Sequence, residues 1–162
     1  ELVHAEAMTR WVRRLDPAAD ALQLIAARAH HLRRWSVPRS SYPEGRSGYL
    51  RWRTAQKKRH ADEVATILRE VGFDDGEIAR VQTIIRKEGL GTDPAVQTHE
   101  DALCLVFLEL QFVDELANWG QEKATGIVRK TAAKMSPAGL DLVGEIGLPT
   151  DALAFLGEAL GA

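Results

Sequence analysis

At 162 residues, with 45% hydrophobic and 27% charged side chains, the chain is long enough for one ordinary core and too apolar to be disordered throughout. Its formal net charge is −2, and a single cysteine, Cys104, excludes an internal disulfide and points to a reducing, cytoplasmic setting. No apolar run approaches the ~20 residues that cross a bilayer, which excludes membrane spanning as its business.

Helical signals recur along the chain. A first helix is expected over about Val3 to Leu15, with Met8, Trp11, Val12 and Leu15 on one stripe. Asp16-Pro17 has the form of an N-cap followed by proline at the first helical position, opening a second helix to about Arg34. Residues 36–47 hold two prolines, a glycine and four serines and are expected to be a loop. A long helix follows from Tyr49 to Val71, stopped by Gly72. A shorter one, capped by Asp74 or Asp75, runs through Ile85 and ends at Gly89. After a second loop, Thr98 is placed as the N-cap of a central, mostly apolar helix to about Ala117. Helices over about Gln121 to Met135, Pro137 (capped by Ser136) to Ile146, and Asp151 (capped by Thr150) to Leu160 complete the order. With no alternating strand pattern, the expectation is an all-α, compact single-domain bundle of about seven to eight helices. Residues 1–135 form its main body and 136–162 a C-terminal helical extension packed on it.

The small net charge hides an uneven distribution. Between Arg28 and His60 lie 10 of the 21 basic residues and 1 of the 23 acids, Glu44. Such a field suits an anionic partner, although charge runs are often only solvated surface. His31 falls at the edge of one apolar stripe and His60 on the inward stripe His60, Val64, Ile67, Val71, so two imidazoles from separate segments are candidates for a metal. Beside His60, helical geometry favours Glu63 as companion, because Asp62 points roughly 200° away on an ideal helix. Glu100 and Asp101 begin the central helix, where Asp101 also suits a capping box with Thr98. Glu109 interrupts an otherwise apolar stripe and needs a cation, a donor or a proton. Cys104, among Leu103, Leu105 and Val106, has the setting of a core residue.

A histidine on one helix, a histidine with an acid on a second and an acid on a later helix resemble the histidine–aspartate (HD) phosphohydrolases. These are all-helical enzymes in which divalent metal activates water and clamps a phosphate. The sequence departs from that pattern at His60-Ala61-Asp62, where an alanine separates the pair. A second resemblance rests on Ala26 to Trp35, Ser41-Tyr42-Pro43, Gly48 to Arg53, Lys57 to Asp62, Asp93 to Gln97 and Glu100 to Glu109. In that order they resemble the domain of unknown function 4202 family over about Leu2 to Met135. Members of that family begin earlier, with a polar stretch containing an Asp-Pro pair, so a ligand from there would lie outside this chain. The family pattern has one histidine where this chain has His30-His31 and a leucine-like residue at His99, which moves the weight to His31 and His60.

The expectation is a metal-dependent phosphohydrolase acting on a phosphorylated, nucleotide-like small molecule. His31, His60, Asp62 and Asp101 would hold a divalent ion (Mn, Mg, Fe or Zn). Arg33, Arg34, Arg53 and Lys58 would hold phosphate, Trp35 or Tyr42 would stack on a base, and Glu100 or Glu109 would act as general base. The alternative is a non-catalytic helical module for RNA or another polyanion, using the same arginines interleaved with Trp35, Tyr42, Tyr49 and Trp52. A third reading is an interaction protein, a homodimer included, docking through Leu153, Phe155, Leu156 and Leu160.

Overall fold

The computed structural model describes residues 1–161, and the fold is all-α. The described residues divide into two compact units, Glu1–His99 and the part from Glu100 on, with the division inside one continuous helix.

In the first unit, α1 (Leu2–Leu15) buries Met8, Trp11 and Val12, as its stripe predicts. The next helix differs from expectation: α2 spans only Ala21–Ala29, and Asp20 rather than Asp16 caps it. Two caps compete here, and Asp20 has the reciprocal partner. Its Oδ1 accepts from the Gln23 N–H at 2.8 Å while the Gln23 side chain accepts from the Asp20 N–H at 3.0 Å. Asp16 instead closes a local turn by accepting from the Ala18 N–H. Beyond Ala29 the chain leaves helical geometry, so His31 and Arg34 stand in a tight turn. Short 3₁₀ turns at Arg34–Ser36 and Arg39–Ser41 break up the expected loop.

The long helix α3 (Gly45–Glu70) starts four residues earlier than expected, and α4 (Asp75–Arg86) is capped by the first of the two candidates, Asp74, in a capping box with Glu77. The central helix α5 (Pro94–Leu110) also begins early. Asp93 Oδ1 accepts from the Ala95 and Val96 N–H groups at 3.0 and 3.3 Å, and Pro94 occupies the first helical position. The Asp-Pro signal that failed at Asp16-Pro17 therefore holds at Asp93-Pro94, and Thr98 is an interior helical residue. An ion pair to Arg80 holds the Asp93 carboxyl down at about 2. Ala26, Ala61, Val81, Ile84, Ile85 and Val96 are the innermost residues of this unit's core.

The second unit holds the rest of α5, then α6 (Phe112–Asn118), α7 (Gln121–Ala132), α8 (Pro137–Asp141) and α9 (Thr150–Leu160). A break at Gln111 separates α5 from α6, where one helix to Ala117 was expected. Ser136 caps α8 as predicted, accepting from the Gly139 N–H at 3.1 Å. Leu108, Phe112, Val128, Leu148 and Leu156 form this unit's core, and Arg129 Nε donates to the Ala159 carbonyl at 2.8 Å, tying α7 to α9.

Gly48 is set by close approach. A Cβ there would lie 1.8 Å from the Pro43 carbonyl oxygen, a backbone atom that cannot swing aside. Gly48→Ala is therefore expected to destabilise the protein by about 3 kcal/mol, the upper end of typical overpacking costs. A urea midpoint equal to that of the parent would show that the turn at Pro43 yields.

Candidate functional site

One ridge of α3 organises the turn that carries His30, His31 and Arg34. Gln56 donates from Nε2 to the carbonyls of Arg34 and Val37, at 3.1 and 3.0 Å, and Trp52 Nε1 donates to the same Val37 carbonyl at 2.9 Å. Arg59 donates from Nη2 to the carbonyls of Leu32 and Arg33, at 3.3 and 2.9 Å, and to Gln56 Oε1 at 2.8 Å. Arg33 adopts a left-handed conformation (φ 47°), unusual for a side chain larger than asparagine, and these bonds to its own and the adjoining carbonyls hold it there.

Within this frame all five histidines of the chain gather. The rings of His4 and His31 stack at 3.9 Å, His31 lies 4.8 Å from His30 and 6.0 Å from His60, and His30 lies 4.9 Å from His99. His30 Nδ1 and His99 Nε2 share a 2.9 Å hydrogen bond. The two histidines weighted down in the sequence, His30 and His99, are thus in the same cluster as His31 and His60. His4 joins them without having been singled out. Its signal was available: on α1 it precedes the stripe Met8, Trp11, Val12, Leu15 by one turn.

Burial is the largest influence on every one of these imidazoles and favours the neutral form. His4 and His60 are lowered to about 4, His31 to about 2 and His99 to about 3, and His30 is also depressed. Arg34 and the neighbouring histidines push the same way. Neutral imidazoles expose lone pairs, which is the form a metal or a donor requires. His31 Nε2 already accepts from Arg34 Nη1 at 2.7 Å, so its proton is on Nδ1. His60 Nε2 is buried without a partner. His4 Nδ1 and His99 Nδ1 are buried without partners as well. Orphaned imidazole nitrogens in one cluster fit a metal in donor chemistry. Among the described residues, however, no three His, Cys, Asp or Glu side chains already stand at metal-binding geometry.

The expected carboxylates have partners of their own. Asp62 turns away, as helical geometry requires, and pairs with Lys58 at 2.7 Å and Arg86 at 2.9 Å, which lowers its carboxyl. Asp101 accepts from the N–H and hydroxyl of Ser136, at 2.9 and 2.5 Å, and so anchors the cap of α8. Glu100 is buried with Lys134 Nζ at 3.8 Å, and Glu109 is half-buried in α5. Glu63 pairs with Arg59 through Oε1, while its Oε2 is buried without a partner.

The phosphate candidates are spread along the surface. Arg34 lies with its guanidinium 4.5 Å from the Trp52 ring centre, and Arg53 rests 5.7 Å from that of Tyr49. Lys58, Arg59, Asp62 and Glu63 line an open cleft of about 380 Å³. Trp35 is 72% exposed, its N–H donating to Glu1, whereas Tyr42 is half-buried. Arg33 is exposed.

A family model described as domain of unknown function (DUF4202) matches residues 1–156. The chain belongs to this family. The DUF4202 match runs past Met135, where the motif resemblance stops, and takes in α8 and most of α9. No curated protein and no solved structure matches the chain. No described helix is long and apolar enough to cross a membrane.

The histidines set a pH limit on this DUF4202 chain. Each folded pKa lies below the ordinary 6.5, so the unfolded chain binds protons first as pH falls. Their contribution is intact above pH 6.5 and is lost progressively toward pH 4, where His4 and His60 charge in the folded state. Urea midpoints should therefore fall between pH 6.5 and 4.5, with a shallower slope in His60→Gln. An identical slope in that variant would refute burial of a neutral His60.

Proposed function

We propose that the protein is a metal-dependent phosphohydrolase for a small phosphorylated, nucleotide-like molecule, in keeping with its resemblance to the histidine–aspartate phosphohydrolases. The observation that carries this reading is the contact between Arg34 and a cluster of neutral, partly unpartnered imidazoles. A bound divalent ion would supply Lewis-acid polarisation of a phosphoryl oxygen and a more acidic water. His31 and His60 remain its ligands in this reading, while the salt bridges of Asp62 and the Ser136 anchor of Asp101 argue against those two as ligands. Arg34, which touches His31, binds the phosphate oxygens in this reading, and Arg33, Arg53, Lys58 and Arg59 supply further positive charge. Glu63, with one carboxylate oxygen buried and unpartnered, joins Glu100 and Glu109 as a general-base candidate. Trp35 offers an exposed face for a base. The buried thiol of Cys104 is compatible with a cytoplasmic setting.

Protein purified without chelator is expected to carry near-stoichiometric divalent metal by elemental analysis, and to release phosphate from at least one of a panel of nucleoside mono- and diphosphates. EDTA should abolish that release and added metal should restore it. His60→Ala should lose the metal while its circular dichroism keeps the helical signal. Unchanged metal content in that variant would remove His60 from the ligand set.

A second reading, an RNA or polyanion module, is favoured by the exposed ring of Trp35 and by Arg53 against the half-exposed Tyr49. It predicts affinity for single-stranded RNA that falls steeply with salt and is indifferent to EDTA. RNA binding unaffected by salt would dispose of it.

A further inference from the structure

We infer that the first half of α3 is a docking surface for a single-stranded polynucleotide, with Arg46, Arg53 and Lys57 on its phosphates and the rings of Tyr49 and Trp35 on its bases. The inference rests on the second reading above, to which it gives a surface and a strand class. It does not depend on the imidazole cluster.

The helix is divided by charge. In its second half acids answer bases: Asp62 pairs with Lys58 at 2.7 Å and Arg86 at 2.9 Å, and Glu63 pairs with Arg59. Residues 46–57 hold Arg46, Arg51, Arg53 and Lys57 and no acid at all. None of these four is in an ion pair with a described residue. Pairs four residues apart were open to this helix, as its second half shows, so the first half presents its field to an anion from outside the fold. Arg34 adds to that field. Its guanidinium, 4.5 Å from the Trp52 ring centre, is held below its ordinary range, chiefly by burial and further by the charge of Arg53. Like charges placed so near one another are relieved by a bound phosphate.

Helical geometry aligns the cations. On an ideal helix Arg46, Arg53 and Lys57 fall within about 40° of one another, with Leu50 and Tyr49 beside them, along about 16 Å of axis. The inward side of the same turns, Gly48, Trp52 and Gln56, is buried. Arg51 is exposed but points about 140° away from the basic stripe.

The rings select the strand. Among the described residues two aromatic side chains are exposed, Trp35 at 72% and Tyr49 at 42%, and both belong to this region. Tyr49 flanks the basic stripe, its ring centre 5.7 Å from the Arg53 guanidinium. Trp35 is carried by the turn that Trp52 and Gln56 bind to this half of α3. Exposed rings stack on unpaired bases, whereas a duplex keeps its bases stacked on one another. A membrane surface fits less well, because a helix lying in the interface needs a wide apolar face, and Trp52 on this segment is turned inward and buried.

Fluorescence anisotropy of the full chain with end-labelled oligouridine and oligothymidine of about 16 nucleotides tests this. For three phosphate contacts, log affinity should fall against log salt with a slope of about −2. Arg46→Gln, Arg53→Gln and Lys57→Gln should each weaken binding several-fold and flatten that slope by about 0.7. Tyr49→Leu and Trp35→Ala should weaken binding about tenfold with the slope unchanged, a split that loss of charge does not produce. Arg51→Gln removes the same charge from another face and should bind as the parent does. Parental circular dichroism in every variant separates loss of the surface from loss of the fold. Tighter binding of either oligonucleotide would support the surface and show which sugar it prefers. Failure of both to bind at low salt would end this surface and the polyanion reading together. Binding that Arg51→Gln weakens as much as Arg53→Gln does, or that Tyr49→Leu and Trp35→Ala leave untouched, would overturn the surface and leave that reading standing. Equal affinity for a duplex of the same length, or for phosphatidylserine vesicles, would overturn the choice of a single strand.

Discussion

The bonds from α3 to the backbone carbonyls of residues 32–37 are the constraint on which the first unit depends. Carbonyls in a tight turn have few helical or strand partners, and burying them unpaired would be costly. Trp52, Gln56 and Arg59, spaced at three and four residues along one helix face, donate to four of them. Because they are fixed to a regular helix, the turn between Leu32 and Val37 acquires a single shape. Two histidines and an arginine borne by that turn and its approach are thereby set against His60 on the same helix, and against His4 and His99 from two others.

Five imidazoles gather in the first unit. Desolvation keeps the rings neutral, and the nearby guanidinium of Arg34 reinforces this for His4, His31 and His60. A neutral cluster is stable at physiological pH and intolerant of acid. It also presents lone pairs to whatever electrophile reaches it, which at present is Arg34 Nη1 at His31. In the second unit a similar economy holds Asp101, whose carboxylate supports the Ser136 cap of α8 and so has a structural task of its own.

Much of the architecture was legible in the chain. The order and class of the helices, the Asp74 and Ser136 caps and the inward stripe carrying His60 all follow from 3.6-residue periodicity and short-range capping rules. Two of the errors were competitions between neighbouring caps. Asp20 prevailed over Asp16 because Gln23 answers it, and Asp93 prevailed over Thr98 because Pro94 follows it and Arg80 pairs with it. The exclusion of Asp62 from the face of His60 was also legible, since two residues on a helix point in nearly opposite directions.

What the sequence determined by itself was therefore whatever depends on neighbours within about a turn: the all-α class, most helix positions, and the concentration of positive charge between Arg28 and His60. What only the tertiary structure decided was the company each histidine keeps. The end of α2 at Ala29 carries no proline or glycine signal, because it is imposed by hydrogen bonds from α3, some 25 residues along the chain. The meeting of His4, His30, His31, His60 and His99 likewise joins segments up to 95 residues apart. Periodicity can say that a side chain faces inward, but contacts between distant faces are set by how the helices pack, and that information is spread over the whole core.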